Sequence, residues 1–351
     1  MTRTGAVTRG SGRVALACAL LYGGAVAAPA TAAPPPAAPG GGEREDIVCD
    51  EKVDDRDPFY PGKSGSARYD GLFRQGARVP DSQLDAVTPQ GVAVWYGWNG
   101  GRDLLVVSAY RDDPGPGVRA RDEDARLIGI DAASGQHVGT LRIAPTHAGG
   151  IAIARGWAFV QGRRENGSET VRRYAPAKLR EAFLKGVREG ASEAFPFVAA
   201  DGAAERVYSA DFLSAYEGHL YAGQFNEADH DVMYTYAIKD DGTLGERGTR
   251  TEVPKKTQGA LVTGDRFIYS TSYGRDKRSN IYVTRRGPVL DPGKLSCFRA
   301  PSMSEGLALY RGDVLALYES GAWKYRSDPK TRNVIAHLHM APLSRLTALV
   351  G

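Results

Sequence analysis

The sequence predicts an all-β protein, a five-bladed β-propeller with one short helical insertion, on three observations. Short apolar or β-branched runs alternate with Gly, Asp and Asn turns, while long stretches of 3.6-residue periodicity are almost absent. One layout recurs: a polar residue, a Gly, a strand, a tight turn and a second strand, followed by two further strand candidates. A length of 351 residues, 42% hydrophobic and 25% charged, accommodates five such four-stranded units and excludes a chain that is disordered over most of its length.

At the amino terminus, Arg3, Arg9 and Arg13 precede the apolar run Val14 to Ala28, which is too short to span a bilayer comfortably. Residues 1–32 therefore read as a Sec-type signal peptide, and the expected localisation is extracellular. Ala30-Thr31-Ala32 supplies small residues for cleavage after Ala32, with Ala33 the next choice. Cys18 has no lipobox-like triplet before it and no Arg-Arg pair precedes the run, which argues against lipid anchoring and twin-arginine export. The Pro/Gly/Ala-rich stretch 33–46 reads as a disordered linker. Residues 47–351 read as a single propeller domain without a membrane span.

The repeats then follow in order: 89–110, 147–162, a weaker copy at 210–225 that lacks the leading Gly, 257–274 and 303–321. Outer strands are expected at Arg126 to Asp131 and Val138 to Ile143, around the turn Ala132-Ala133-Ser134-Gly135, and at Asn280 to Thr284 and Leu295 to Arg299. A four-stranded blade cannot bury both faces alone, so blades stack radially, and the anchor glycines Gly91, Gly150, Gly259 and Gly306 let innermost strands approach one another. Six blades are the alternative should Tyr60 to Asp85 hold a degenerate copy; a two-sheet sandwich fits so regular a repeat less well. Ala177 to Arg188 places Leu179, Phe183, Leu184 and Val187 on one face, a short amphipathic helix inserted between blade strands. Leu343, Leu346 and Leu349 suggest a terminal helical turn.

The chain has 45 Lys and Arg against 41 Asp and Glu, and three of the arginines leave with the signal. A nearly balanced charge argues against a nucleic-acid partner. Cleavage also removes Cys18, and an oxidising compartment favours a disulfide between Cys49 and Cys297, two free thiols being the alternative. Such a bond contributes roughly 5 kcal/mol at most by restricting the unfolded chain. It is expected to pin the amino-terminal strand where the ring begins and ends.

A propeller brings the residues just before its innermost strands to one mouth of the central channel. Gln90, His147, Gln258 and Glu305 should therefore converge as a ligand site, unless they serve only to hydrogen-bond channel backbone and water. Loops after the second strands add Arg111, Arg163 and Arg275 as forked donors for a carboxylate or phosphate, and Tyr110, Tyr273 and Trp98 as stacking faces for sugars. The competing reading pairs these arginines with local acids and packs the aromatics between blades. No catalytic residue is assigned; were the protein an enzyme, His147 and Glu305 would be the candidates, His147 as general base and Glu305 holding a cation, and no Gly-x-Ser-x-Gly nucleophile motif accompanies them.

Other segments have plainer readings. Asn226 to Asp231 groups oxygens that suit Ca²⁺ but lacks EF-hand spacing, so a solvated hairpin loop is expected. His337 and His339 alternate on one strand face without a third metal ligand and are expected at the surface. Asp240 to Thr243 and Tyr310 to Asp313 read as hairpin turns.

The hairpin LIGIDAASGQHVGTL (127–141) resembles the outer hairpin of quinoprotein-like and YVTN-type propellers, where an Asp-x-x-Ser/Thr-Gly turn recurs in each blade. The combination QGVAVW, GWAFVQGR, STSYGR, RSNIYV and CFRAPSMSEGL looks like an uncharacterised family of bacterial secreted propellers over roughly residues 85 to 340. Ser304-Glu305-Gly306-Leu307-Ala308 is similar to a Glu-Gly-aliphatic strand start in gluconolactonase-like, strictosidine-synthase-like and phytase-like propellers, in some of which the Glu contacts a central Ca²⁺. That likeness implies Glu305 as a candidate metal ligand, Ca²⁺ as a candidate cofactor, and a metal-dependent lactonase or phosphoesterase as the alternative function. The chain departs from that pattern at Gln90, His147 and Gln258. The expectation is a monomeric binding module for a small-molecule, glycan or cell-envelope ligand, polar and either anionic or carbohydrate.

Overall fold

Five four-stranded antiparallel sheets, arranged as the blades of a propeller, make up the computed structural model, which describes residues 47–111 and 123–351. The expected signal peptide and the expected linker both lie outside the described residues. The strands in chain order are β1 (Arg74–Arg78); β2 (Val87–Asn99), β3 (Arg102–Arg111), β4 (Ala125–Asp131) and β5 (His137–Ile143) of blade one; and β6 (Ile151–Ala154), β7 (Trp157–Gln161), β8 (Glu169–Tyr174) and β9 (Glu205–Val207) of blade two. Blade three has β10 (Phe212–Tyr216), β11 (His219–Gly223), β12 (Asp231–Ile238) and β13 (Leu244–Val253). Blade four has β14 (Thr257–Val262), β15 (Arg266–Thr271), β16 (Ser279–Arg285) and β17 (Leu295–Ala300); blade five has β18 (Ser304–Tyr310), β19 (Asp313–Tyr318) and β20 (His337–Pro342).

Burial explains the sequence pattern. Middle strands such as β4 and β15 are buried at every position, because neighbouring blades cover both faces, so they read as continuous runs instead of alternating ones. The outer strand β13 carries an exposed polar stretch from Glu246 to Arg250. Among the described residues, no helix is long and apolar enough to cross a membrane.

The anchor glycines do what the repeat implies. A Cβ built on Gly259 would stand 2.5 Å from the Glu305 carbonyl oxygen, one on Gly306 2.8 Å from the Val92 nitrogen, one on Gly91 2.9 Å from the Ile151 nitrogen, and one on Gly150 2.4 Å from the Leu213 nitrogen. Each glycine thus faces the next inner strand, and contact of β18 with β2 closes the ring. Blade three has Phe212 instead; its ring folds back over Gly223, its partner on β11.

Ring closure is where expectation and structure part. Tyr60 to Asp85 is no sixth blade: it supplies β1, which pairs antiparallel with β20 as the outermost strand of blade five, with Arg74 opposite Met340 and Arg78 opposite His337. Cys49 and Cys297 do form a disulfide, Cα to Cα 4.5 Å. It fixes the start of the described chain to β17 of blade four, beside a parallel bridge of Asp50 with Phe298. The helix Ala67–Leu72, capped by Ser66 accepting from the Tyr69 N–H at 3.1 Å, then carries the chain to β1. Tyr69 joins one core with Phe298 of blade four and Tyr318 of blade five.

The inserted helix spans Pro176–Leu184, between β8 and β9, and buries Leu179, Ala182 and Phe183. Leu184, expected on that face, is 54% exposed, and Val187 lies beyond the helix end, which Gly186 at φ +65° follows. Phe183 presses on blade one where Gly129 leaves room: a Cβ there would meet its ring at 2.9 Å. The expected terminal turn is the helix Leu343–Thr347, with Leu346 fully buried. His339 is also buried, contrary to expectation, because β1 covers its strand and Tyr69 and Tyr318 enclose it.

Candidate functional site

In blades one, four and five, the inner strand breaks register beside its anchor glycine: between Pro89 and Gly91, between Thr257 and Gly259, and between Ser304 and Leu307. Each irregularity takes up an extra residue on the inner strand, and such bulges re-aim side chains. Gln90, Gln258 and Glu305 occupy these positions. Together with His147, Tyr273 and Arg275 they line one pocket of about 390 Å³ at the channel mouth, so six of the sequence-predicted site residues are brought together.

Two others are not. Arg111 pairs with Glu123 at 3.1 Å, as the local-acid reading had it, and Arg163 is exposed; neither lines the pocket. Of the aromatic faces, Tyr110 and Tyr273 line it, but Trp98 is 1% exposed inside the core of blade one.

Phe225, Gly274 and Glu319 line the pocket too, and Asp211, Ser272, Met303 and Tyr325, which complete the wall, were missed. Asp211 occupies the position just before Phe212 that Gln90, Gln258 and Glu305 occupy before their glycines, so an alignment not insisting on Gly finds it. Tyr325 comes from the short helix Trp323–Arg326, which has no counterpart in the repeat.

The chemistry centres on two carboxyl groups. Burial pushes the Glu305 carboxyl well above its ordinary range, and the charge and hydrogen bond of Glu319 push in the same direction against the pull of Lys324. Both effects favour the protonated form of Glu305, which donates a hydrogen bond, over the carboxylate. Gln90 Nε2 donates to Glu319 Oε2 at 3.0 Å. Lys324 donates to the Tyr110 hydroxyl and lies 4.6 Å from the ring centroid of Tyr325. Burial raises both phenols, Tyr325 strongly, with the Glu319 charge adding to it.

Across the pocket, burial raises Asp211 although the Phe225 N–H at 2.8 Å and the Ser209 hydroxyl at 3.1 Å donate to it. His147 is exposed at the rim, its ring stacked on Tyr110 with centroids 4.7 Å apart. Arg275 is held by Asp328 and lies 5.2 Å from the Tyr325 ring centroid.

Among the described residues, no three His, Cys, Asp or Glu side chains gather into a group that could hold a metal ion. In the loop Asn226 to Asp231, Asn226 accepts from the Ala228 N–H and donates to Asp231, both at 3.0 Å, while Glu227 and Asp229 are exposed. This is the hairpin-loop reading.

No family model and no curated protein matches the chain. Solved structures are similar in fold. The GH43_1 enzyme from Xanthomonas citri complexed with xylotriose is 11% identical with a TM-score of 0.45, over 77% of this chain and 91% of that one. RS223-Beta-xylosidase is 10% identical with a TM-score of 0.42, over 78% and 95%. The Neurospora crassa Pan2 WD40 domain is 11% identical with a TM-score of 0.34, over 78% and 70%. At such identities and scores the likeness concerns the fold alone, and the resemblance to a secreted propeller family stays a sequence-based expectation.

Proposed function

We propose that this is an exported five-bladed propeller that binds a neutral, polyhydroxylated ligand of sugar size at the mouth of its channel. The observation that carries the reading is the composition of the lining: Tyr110, Phe225, Tyr273 and Tyr325 offer flat faces, while Gln90, Gln258, Asp211, Glu305 and Glu319 offer planar amides and carboxyls from different blades. Sugars need both, because their C–H faces stack on rings while adjacent hydroxyls exchange hydrogen bonds with planar groups. An anionic ligand suits this pocket less well, since three carboxyl groups line it and Asp328 engages Arg275. Export rests on the signal-like residues 1–32 and the linker 33–46, and the disulfide accords with it.

Isothermal titration with neutral pentoses, hexoses and short oligosaccharides tests the site. Binding is expected for at least one of them, with Gln258→Ala and Tyr325→Ala each weakening it by about tenfold or more. No binding by any neutral sugar, or equal affinity in both variants, overturns the reading.

A hydrolytic role is favoured by one observation: Glu305 and Asp211, two carboxyl groups that burial holds toward the protonated form, share the pocket with Glu319, and carboxyl groups so placed are what acid–base chemistry uses. Glu305→Gln decides it. Turnover of aryl glycosides by the wild type that disappears in this variant, with sugar binding retained, makes the protein a hydrolase; no turnover by the wild type leaves it a binding module. The variant is expected to be at least as thermally stable as the wild type at neutral pH, because an amide cannot be forced to carry buried charge.

A further inference from the structure

A second pocket, of about 440 Å³, lies on blade four and is lined by Lys255, Lys256, Lys277, Arg278, Arg299 and Arg332, with Glu51 as its one carboxylate. The fold gathers these from scattered positions: the β13–β14 connection gives Lys255 and Lys256, the β15–β16 connection Lys277 and Arg278, β17 Arg299, and the segment before β20 Arg332. The disulfide-tethered start of the described chain brings Glu51.

Glu51 is already engaged. It accepts from Arg299 Nε at 2.6 Å and from a second nitrogen of the same guanidinium, whose remaining arm donates to Asn280 Oδ1 at 2.7 Å. Among the described residues, Lys255, Lys256, Lys277, Arg278 and Arg332 form no ion pair with a carboxylate. The ammonium groups of Lys256 and Lys277 lie 5.3 Å and 5.8 Å from the Tyr273 ring centroid. Arg332 Nε is buried without a hydrogen-bond partner among the described residues. Burial lowers the Arg332 pKa, and repulsion from Arg278 adds to this. A whole chain of net charge +4 thus concentrates five uncompensated cations in one concavity.

We propose that this pocket is a second ligand site, for a small, multiply charged oxyanion bearing phosphate or sulfate ester groups. Arg278 and Arg332 supply planar forks that match tetrahedral oxyanions, and the lysines supply adjustable point charges. A single carboxylate would leave most of the mutual repulsion in place. A long polyanion such as nucleic acid wants an extended basic track, and this pocket is confined to one blade and its neighbouring segments. The site does not depend on the sugar reading, although Ser272 and Tyr273 line both pockets.

Titration of the purified protein with inorganic pyrophosphate, inositol hexakisphosphate and a disulfated disaccharide tests it, with glucuronate as the monocarboxylate comparison. At least one polyanion is expected to bind about tenfold or more tighter than glucuronate, with affinity that falls steeply as salt is added. Which probe binds best separates phosphate from sulfate. Lys255→Glu and Lys277→Glu, both at exposed positions, are each expected to weaken binding by about tenfold. Lys239→Glu, exposed near the β12–β13 turn, is the charge-matched control and is expected to change nothing. Failure of every polyanion to bind at low salt, or equal losses in the Lys255, Lys277 and Lys239 variants, overturns the site.

Discussion

His339 is a titratable group in the core of blade five, 1% exposed, its Nδ1 within 2.7 Å of the Tyr69 hydroxyl, which in turn contacts the Tyr318 hydroxyl. Burial, with a smaller push from His337, takes its pKa from 6.5 down to about 3. Below pH 6.5 the unfolded chain binds a proton that the folded chain refuses, so this contribution is complete above that pH and is lost as pH falls toward 3. The slope is on the order of 1 kcal/mol per pH unit. His339→Gln, which keeps an acceptor but does not titrate, is expected to flatten the acid side of a urea-midpoint-against-pH curve. An unchanged slope would place the acid sensitivity elsewhere. Alternation of His337 and His339 is visible in the sequence, but the burial of His339 is not, because the covering strand β1 comes from more than 250 residues away.

At the scale of the element, the leading glycine was the legible signal and the bulge was not. Gly259 is needed because the carbonyl oxygen of Glu305 stands 2.5 Å from where its Cβ would be. Gly259→Ala is expected to lose about 1–3 kcal/mol by forcing two inner strands apart. Gly71, in the helix Ala67–Leu72, has open space around its Cβ position, so Gly71→Ala is expected to gain about 0.4–1 kcal/mol. Urea denaturation of this matched pair reads both signs; two losses would mean that inter-strand crowding is not what the anchor glycines relieve. The register breaks that aim Gln90, Gln258 and Glu305 depend on how paired strands fit, which no single strand's sequence displays.

At the scale of the molecule, two separate devices tie the described chain together. Strand β1 completes blade five, and the disulfide clips Cys49 to blade four across a separation of 248 residues. Replacing both cysteines with Ser is expected to keep the native far-ultraviolet circular dichroism, since β1 still pairs, while lowering stability by up to about 5 kcal/mol. Loss of β-structure in this double-serine variant would show that the clip, and not β1, holds the described chain together.

Local chemistry by itself determined much of this protein: repeated glycine-led hairpins specified blades, length favoured five of them over six, and the cysteine count favoured pairing Cys49 with Cys297 over two free thiols. Convergence of the anchor residues was also legible, because a propeller's symmetry places equivalent positions at one mouth. Only the tertiary structure decided the rest. Asp211 and Tyr325 join the pocket through a blade without its glycine and a helix outside the repeat, and the basic cavity on blade four draws its cations from four separate segments. Burial, charge coupling and pocket composition arise from distances between segments remote in the chain, and a repeat pattern carries information only about positions that repeat.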